Sequence, residues 1–292
     1  MERLIDEAFF QRLAKLRFIA KGRRKGRLSG RHVSPRAGIS LEFADYRQYA
    51  PGDDFRYVDW NIYGRLDRIL VKTYVHETDL PIYLLVDCSA SMSLGIPPKV
   101  HYAARLATAI AYLGLRGLDR VGLFPFSEHL GIVVPPRHGM KHLGRIFGAL
   151  RDTEAGGRTS LDDAISEFLK QTHENGIVFV VSDFLTPGGY EEGFARLRHR
   201  GDEPIVVQVL APEDLHPTAT GTTRLVDAES ARRLTITIGP RTLREYERRL
   251  QQHCSRLRSF LAERRIPYFL APTRRPLEQL FHEDFRGGGI LR

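Results

Sequence analysis

Residues 81–95 read PIYLLVDCSASMSLG. The first seven form a short, almost wholly apolar run that includes Ile82 and Val86, the pattern of a strand buried on both faces. The run ends in Asp87, and HYAARLATAIAYLGL (101–115) follows with apolar residues at helical spacing. A buried strand, a polar loop and a helix make the first part of a parallel β-α-β unit, so the remaining chain is read by whether it continues that alternation.

On the C-terminal side it does. RVGLFPFS (120–127) and GIVVPP (131–136) predict a strand pair around Glu128 and His129, and KHLGRIFGALRD (141–152) predicts a helix. SLDDAISEFLKQTHE (160–174) predicts another, with Ser160 and Asp163 resembling a capping box. GIVFVVSD (176–183) is the clearest buried strand, followed by a helix at YEEGFARLRHR (190–200) and a strand at PIVVQVLAP (204–212). Past Pro212 the rhythm breaks: TTRLVDAES (222–230) and RRLTITIG (232–239) read as a β-hairpin inserted near 222–238. A long arginine-rich helix (242–265), a last strand IPYFLAP (266–272) and a helical turn at PLEQLF (276–281) complete the chain. In the long helix Leu243, Tyr246, Leu250, Leu257 and Phe260 are expected to face inward and the arginines to cover a solvated face. The expectation is an α/β domain over residues 79–292, with a mainly parallel sheet covered by helices on both faces.

Residues 1–78 read as a distinct N-terminal extension. Leu4, Ile5, Ala8, Phe9, Leu13 and Leu16 suggest a short amphipathic helix, a basic arm follows, and an aromatic-rich stretch broken at Pro51-Gly52-Asp53 predicts short strands and turns. Trp60, with Tyr46, Tyr49, Phe55 and Tyr57, is expected to seal these strands onto the main sheet, a recognition surface being the alternative. Asp53, Asp54 and Asp59 are read as partners of Arg47 or Arg56, or as solvated turn carboxylates.

Composition narrows the function classes. With 42% hydrophobic and 27% charged residues the chain has the balance of a soluble globular protein. No apolar run approaches the ~20 residues of a membrane helix, and the start MERLIDEAFF lacks a signal-peptide layout. A cytoplasmic location is therefore expected. Cys88 and Cys254 are the only cysteines and form no CxxC pair, which argues against a disulfide framework or a cysteine-rich zinc site. The net charge is +9, but residues 8–41 hold ten Lys or Arg and no acid, which leaves the other residues at −1. That arm can meet phosphates, acidic lipid or an acidic protein face. Its basic stretch KLRFIAKGRRKGRLSGRH (15–32) contains a single aromatic, Phe18, too few to stack bases, so nucleic-acid binding through residues 12–36 is a minor alternative.

In open α/β sheets ligands bind beyond the carboxyl ends of the strands. Asp87 and Asp183 each close a predicted strand, and GGRTSLDD places Thr159 and Ser160 just before a helix on the same rim. In Asp87-Cys88-Ser89-Ala90-Ser91 the oxygen-bearing residues alternate, so an extended loop aims all three at one spot. Two carboxylates and several hydroxyls suit a small hard cation such as Mg²⁺, with room for one more carboxylate. Ser89 stands where a phosphate-transferring aspartate usually has its second carboxylate, and no GxSxG, GxxxxGK[ST], HExxH or GxGxxG is present. His101, His129, His138 and His142 show no metal-binding spacing and are read as surface or core histidines.

Taken together, Asp87, Ser89, Ser91, Thr159 and Asp183 resemble the metal ion-dependent adhesion site of von Willebrand factor A domains. The resemblance implies a divalent ion, Mg²⁺ or another such as Mn²⁺, whose last ligand is an acidic side chain of a partner. Ser160 is a neighbouring alternative to Thr159. Over nearly the whole chain, GISLEFADYRQYAPGDDFRYVDWNIYGR, LLVDCSASM, DRVGLFPFS, VVSDF and RLVDAES are similar, in order, to the bacterial family called domain of unknown function 58. That resemblance implies an adaptor or co-chaperone of a MoxR-type AAA+ ATPase, non-enzymatic, without a membrane span here although many relatives have one. A metal-dependent phosphoester hydrolase is the alternative from another class. Asp227 and Glu229 are read as hairpin residues, with a docking role as the second option.

Overall fold

The structure is a computed structural model that describes residues 7–18, 25–28, 41–51, 53–77, 81–186 and 188–292. Leu4, Ile5, Gly52 and most of the basic arm lie outside the described residues. Contacts divide the chain into residues 20–79 and a larger unit of residues 1–19 with 80–292. Helix α1 (Glu7–Leu13) therefore goes with the larger unit, where a division at residue 78 expected it in the extension. The reason is its apolar face: Phe9, Leu13 and Leu16 are buried in the larger unit's core, and the Phe10 ring lies 4.3 Å from that of Tyr112.

In the smaller unit β1 (Lys25–Leu28), β2 (Leu41–Gln48) and β3 (Leu70–Glu77) form an antiparallel sheet in the order β1-β3-β2. Between β2 and β3 the chain makes a 3₁₀ turn at Phe55–Tyr57 and a helix α2 (Trp60–Leu66), where strands and turns were expected. Asp59 starts the helix by accepting from the amides of Asn61 (3.0 Å) and Ile62 (3.2 Å). The predicted ion pairs form: Arg47 reaches both oxygens of Asp53 at 2.6 Å, and Arg56 pairs with Asp54 at 2.6 Å. Trp60 and Phe55, expected as buried sealing residues, stand 59% and 60% exposed. Phe55 stacks on Tyr49, and Trp60 meets Tyr63 edge to face.

In the larger unit β4 (Ile82–Asp87), α3 (Lys99–Arg116), β5 (Val121–Phe126), β6 (Val134–Arg137), α4 (Lys141–Asp152), α5 (Leu161–Gln171), β7 (Ile177–Ser182), α6 (Glu191–Arg200) and β8 (Glu203–Leu210) alternate as predicted, and a short helix α7 (Pro212–Leu215) that was not expected follows β8. The hairpin β9 (Gly221–Val226) and β10 (Arg233–Ile238) follows, then α8 (Pro240–Glu263), β11 (Tyr268–Pro272) and α9 (Leu277–Gln279), which runs into a π-helical turn at Leu280–Phe285. The sheet order is β11-β8-β7-β4-β5-β6. All neighbours are parallel except β6, which runs antiparallel to β5, so the sheet is mixed. The hairpin forms its own two-stranded sheet.

Strand alternation splits the core in two. Ile82, Leu84 and Val86 point into one cluster with α1, α3, α4 and the C-terminal turn, whereas Tyr83 and Leu85 point into another with α5, α6 and α8. In α8, Leu250, Leu257 and Leu261 supply the buried stripe, while Tyr246 is 38% exposed. Phe18 and Leu291 form an antiparallel bridge, closing the larger unit between its first and last described segments. Among the described residues no helix is long and apolar enough to cross a membrane.

Candidate functional site

From β4 the chain moves outward to β5 and β6, then returns to the opposite side of β4 as β7. The carboxyl ends of β4 and β7 therefore flank a topological switch point, where loops diverge and leave a crevice. Asp87 ends β4 and is fully buried. Its Oδ1 accepts from the Ser89 amide (2.9 Å) and its Oδ2 from the Ser182 hydroxyl (2.5 Å). Burial, with the charge of Asp183 second, pushes its carboxyl up to about 7 against the hydrogen bonds from Ser182 and Ser89. Asp183, also buried, follows β7 and accepts from the Leu185 amide (3.0 Å).

Three loops are tied together over these carboxylates. Ser89 opens a 3₁₀ turn at Ala90–Ser93, which brings the Ser89 and Ser91 hydroxyls to 3.1 Å of each other. The Ala90 amide donates to Gly157 O (3.0 Å) and the Gly156 amide to Cys88 O (2.8 Å), joining that turn to the 153–160 loop. The Thr186 hydroxyl donates to Thr159 O (3.2 Å), joining the loop after β7 to the same segment.

The two candidates at the middle position separate cleanly. The Ser160 hydroxyl turns back to Asp163 Oδ2 (2.5 Å), replacing the backbone bond that a capping box would have. Thr159 is buried, and both its hydroxyl and its amide donate to Glu229, to Oε1 at 2.8 Å and Oε2 at 3.3 Å. Glu229 is delivered by the tip of the β9–β10 hairpin. Asp227 shapes that tip by accepting from the amides of Glu229 (2.8 Å) and Ser230 (3.2 Å) and from the Ser230 hydroxyl (2.8 Å), bonds that hold its own carboxyl below the usual range.

Residues 45–256 match the family model described as "Protein of unknown function DUF58". The chain belongs to the DUF58 family. Uncharacterised proteins of Mycobacterium bovis and Mycobacterium tuberculosis are each 29% identical to it over 246 residues, 82% of this chain and 77% of theirs. Among solved structures, BatB from Bacteroides thetaiotaomicron is 14% identical with a TM-score of 0.46, covering 71% of this chain and 98% of that one. An aerotolerance-related membrane protein from Bacteroides fragilis is also 14% identical, with a TM-score of 0.44 over 71% of this chain and 99% of its own.

Sequence reasoning missed a cation inside this DUF58 site. Lys99, the first residue of α3, is 1% exposed and places Nζ 2.7 Å from Asp183 Oδ2 and 3.1 Å from Asp214 Oδ2. Burial lowers its ammonium, and the charges of Asp183 and Asp214 more than reverse that. Asp214, on α7, was not singled out either, nor were Ser182 and Gln208, whose buried amide donates to Asp183 O (2.8 Å). One signal was present: a lysine opening a helix lies at the end whose dipole disfavours it, and so calls for nearby carboxylates.

The donor set is one of hard oxygens. Among the described residues no group of three or more His, Cys, Asp or Glu could hold a metal ion, so a cation here relies on the hydroxyls of Ser89, Ser91 and Thr159 beside Asp87 and Asp183. Asp183 and Asp214 share one ammonium, a surplus of one carboxylate, and burial and the charge of Asp183 raise the carboxyl of Asp87. Asp183 is engaged by Leu185 and Lys99, but each carboxylate oxygen keeps a further lone pair. The residue types present, carboxylates and hydroxyls, are those a small hard cation takes.

Proposed function

We propose that the chain is a non-enzymatic protein-binding adaptor or co-chaperone that acts in the cytoplasm with a MoxR-type AAA+ ATPase. The reading takes the α/β unit as von Willebrand factor A-like and assigns Asp87, Ser89, Ser91, Thr159 and Asp183 to a divalent cation, Mg²⁺ or Mn²⁺. The ion would supply one open position for an acidic side chain of the partner. Several contacts support that assignment: Ser182 and the Ser89 amide fix the Asp87 carboxylate, Lys99 and Leu185 orient Asp183, and backbone bonds tie the Ser89–Ser91 turn to the loop that carries Thr159.

The observation that carries the reading is the pair of buried carboxylates, Asp87 and Asp183, at adjacent strand ends, with the Ser89 and Ser91 hydroxyls 3.1 Å apart on the loop after β4 and buried Thr159 on a loop tied to it. Affinity capture of tagged protein from its native cell extract, in Mg²⁺ and in EDTA, beside a Ser89→Ala/Ser91→Ala double variant, tests it. An AAA+ ATPase recovered only by the wild type in Mg²⁺ is the expected result. Equal recovery in all lanes would defeat the cation mechanism, and Mg²⁺-dependent turnover of generic phosphoesters that vanishes with Asp87→Ala would replace the adaptor with a hydrolase.

A further inference from the structure

The seat in which the proposed site receives a partner's acid is next to Thr159, and the chain already places an acid there. Glu229 reaches Thr159 across 70 residues of sequence and takes both its hydroxyl and its amide. This two-point geometry, charge-assisted on the acceptor side, is how an incoming carboxylate would be held. The element that delivers Glu229 is separable from the main sheet. Among the described residues the β9–β10 hairpin pairs only with itself in sheet terms, and Leu225, Val226 and Leu234 on it are 40%, 57% and 60% exposed. A two-stranded hairpin with exposed faces is marginally stable alone, so its placement depends on its ends and on whatever its tip grips. The tip itself is well built, since Asp227 organises the turn through the Glu229 and Ser230 amides and the Ser230 hydroxyl. A preformed tip on a weakly held stalk suits an element that seats and unseats as one piece.

Resting on the adaptor reading, we propose that Glu229 is a resident ligand: the hairpin keeps a carboxylate in the acid-receiving seat, and a partner binds by presenting an acidic turn of its own that displaces it. The partner's recognition element is thereby assigned a chemistry, a glutamate or aspartate displayed on a tight turn. The hairpin sets the threshold for binding, because the apparent affinity of any such partner is reduced by the fraction of molecules whose seat is filled.

The test uses the full chain and a fluorescently labelled peptide of residues 223–232, TRLVDAESAR, read by anisotropy. Glu229→Gln in the full chain should bind the peptide about tenfold or more tightly than the wild type, the factor expected if the seat is open no more than roughly a tenth of the time. Adding Thr159→Val to that variant should remove the gain, and a peptide carrying Gln in place of the glutamate should show none. Hydrogen exchange gives a second reading: amides of 221–238 should exchange faster in Glu229→Gln than in the wild type. Equal affinity for wild type and Glu229→Gln, binding to neither, a gain that survives Thr159→Val, or unchanged exchange would each overturn the proposal. Running the titration in Mg²⁺ and in EDTA separates the two readings. A gain seen only in Mg²⁺ supports both, whereas a gain present in EDTA leaves the resident ligand standing and removes the cation.

Discussion

Lys99 and Asp183 form an ion pair of 2.7 Å with side chains only 1% and 2% exposed, and the lysine opens a helix whose dipole repels it. Such a pair is costly to assemble and more costly to break, because the survivor is left buried and charged. Lys99→Met should therefore lower stability by about 3–5 kcal/mol, the usual loss when one member of a buried pair is removed. Asp183→Ala should also destabilise, since Lys99 would keep only Asp214. Urea denaturation checks both, and a loss under about 1 kcal/mol for Lys99→Met would show that Asp183 and Asp214 do not need the ammonium.

Asp87 should behave in the opposite sense. Its charge is opposed by burial and by Asp183, so Asp87→Asn removes an unfavourable charge while keeping a group that Ser89 and Ser182 can bond. In EDTA the melting temperature should rise by about 2–4 °C, the equivalent of roughly 1 kcal/mol for a chain of this size. Any upward shift produced by Mg²⁺ in the wild type should disappear. A melting temperature that falls in EDTA would mean the carboxylate is a net stabiliser and the charge surplus is compensated elsewhere.

Two histidines should titrate on opposite sides of the ordinary value. His129 Nδ1 lies 2.7 Å from Glu167 Oε1, a hydrogen bond that raises its imidazole. The imidazole of His142 is lowered by burial, with Nε2–H donating to Val121 O (3.0 Å). The fold thus gains from protonated His129, a contribution complete below about 6.5 and lost as pH rises through its folded midpoint. It gains from neutral His142, a contribution present above about 6.5 and lost as pH falls below that value. NMR titration of the ring protons should place His129 high and His142 low, and Glu167→Gln should bring only His129 back.

Gly176 leads into β7 under the start of β4. A Cβ there would stand 2.2 Å from the Pro81 carbonyl oxygen and 2.8 Å from the Tyr83 ring, so backbone must move to admit it. Gly176→Ala should cost about 1–3 kcal/mol by overpacking. Gly144, within α4, meets nothing within 4 Å, and Gly144→Ala should add about 0.5–1 kcal/mol through helix propensity. Urea midpoints that moved the same way in both variants would contradict this assignment of the two glycines.

The central strands were legible because burial on both faces leaves an unbroken apolar run, as in Ile82–Asp87 and Ile177–Ser182. Asp87 and Asp183 were legible for the same reason, Asp87 as the first polar residue past its run and Asp183 as the second, after Ser182. Strand β6 was displaced from the expected 131–136 to Val134–Arg137 because Gly131 is spent on a turn, its amide donating to Pro125 O (2.7 Å). Helix α2 was missed because seven residues are too few for a periodic signal, although Asp59 ahead of Trp60 was a usable cap. Lys99 was hidden by looking like any exposed lysine after a Pro-Pro loop. The Glu229–Thr159 bond spans 70 residues, and no local pattern encodes which hairpin tip meets which rim.

The bridge between Phe18 and Leu291, with backbone bonds both ways between Arg17 and Arg292, gives the chain an architectural seam. Residues 20–79 hang between a segment already stitched into the α/β unit and the start of its central strand. They are, in effect, a guest module spliced into a closed host. The entropic cost of closing such a splice grows only logarithmically, by about 0.6 kcal/mol for each doubling of its length. Elaboration at this junction is therefore nearly neutral for the stability of the host.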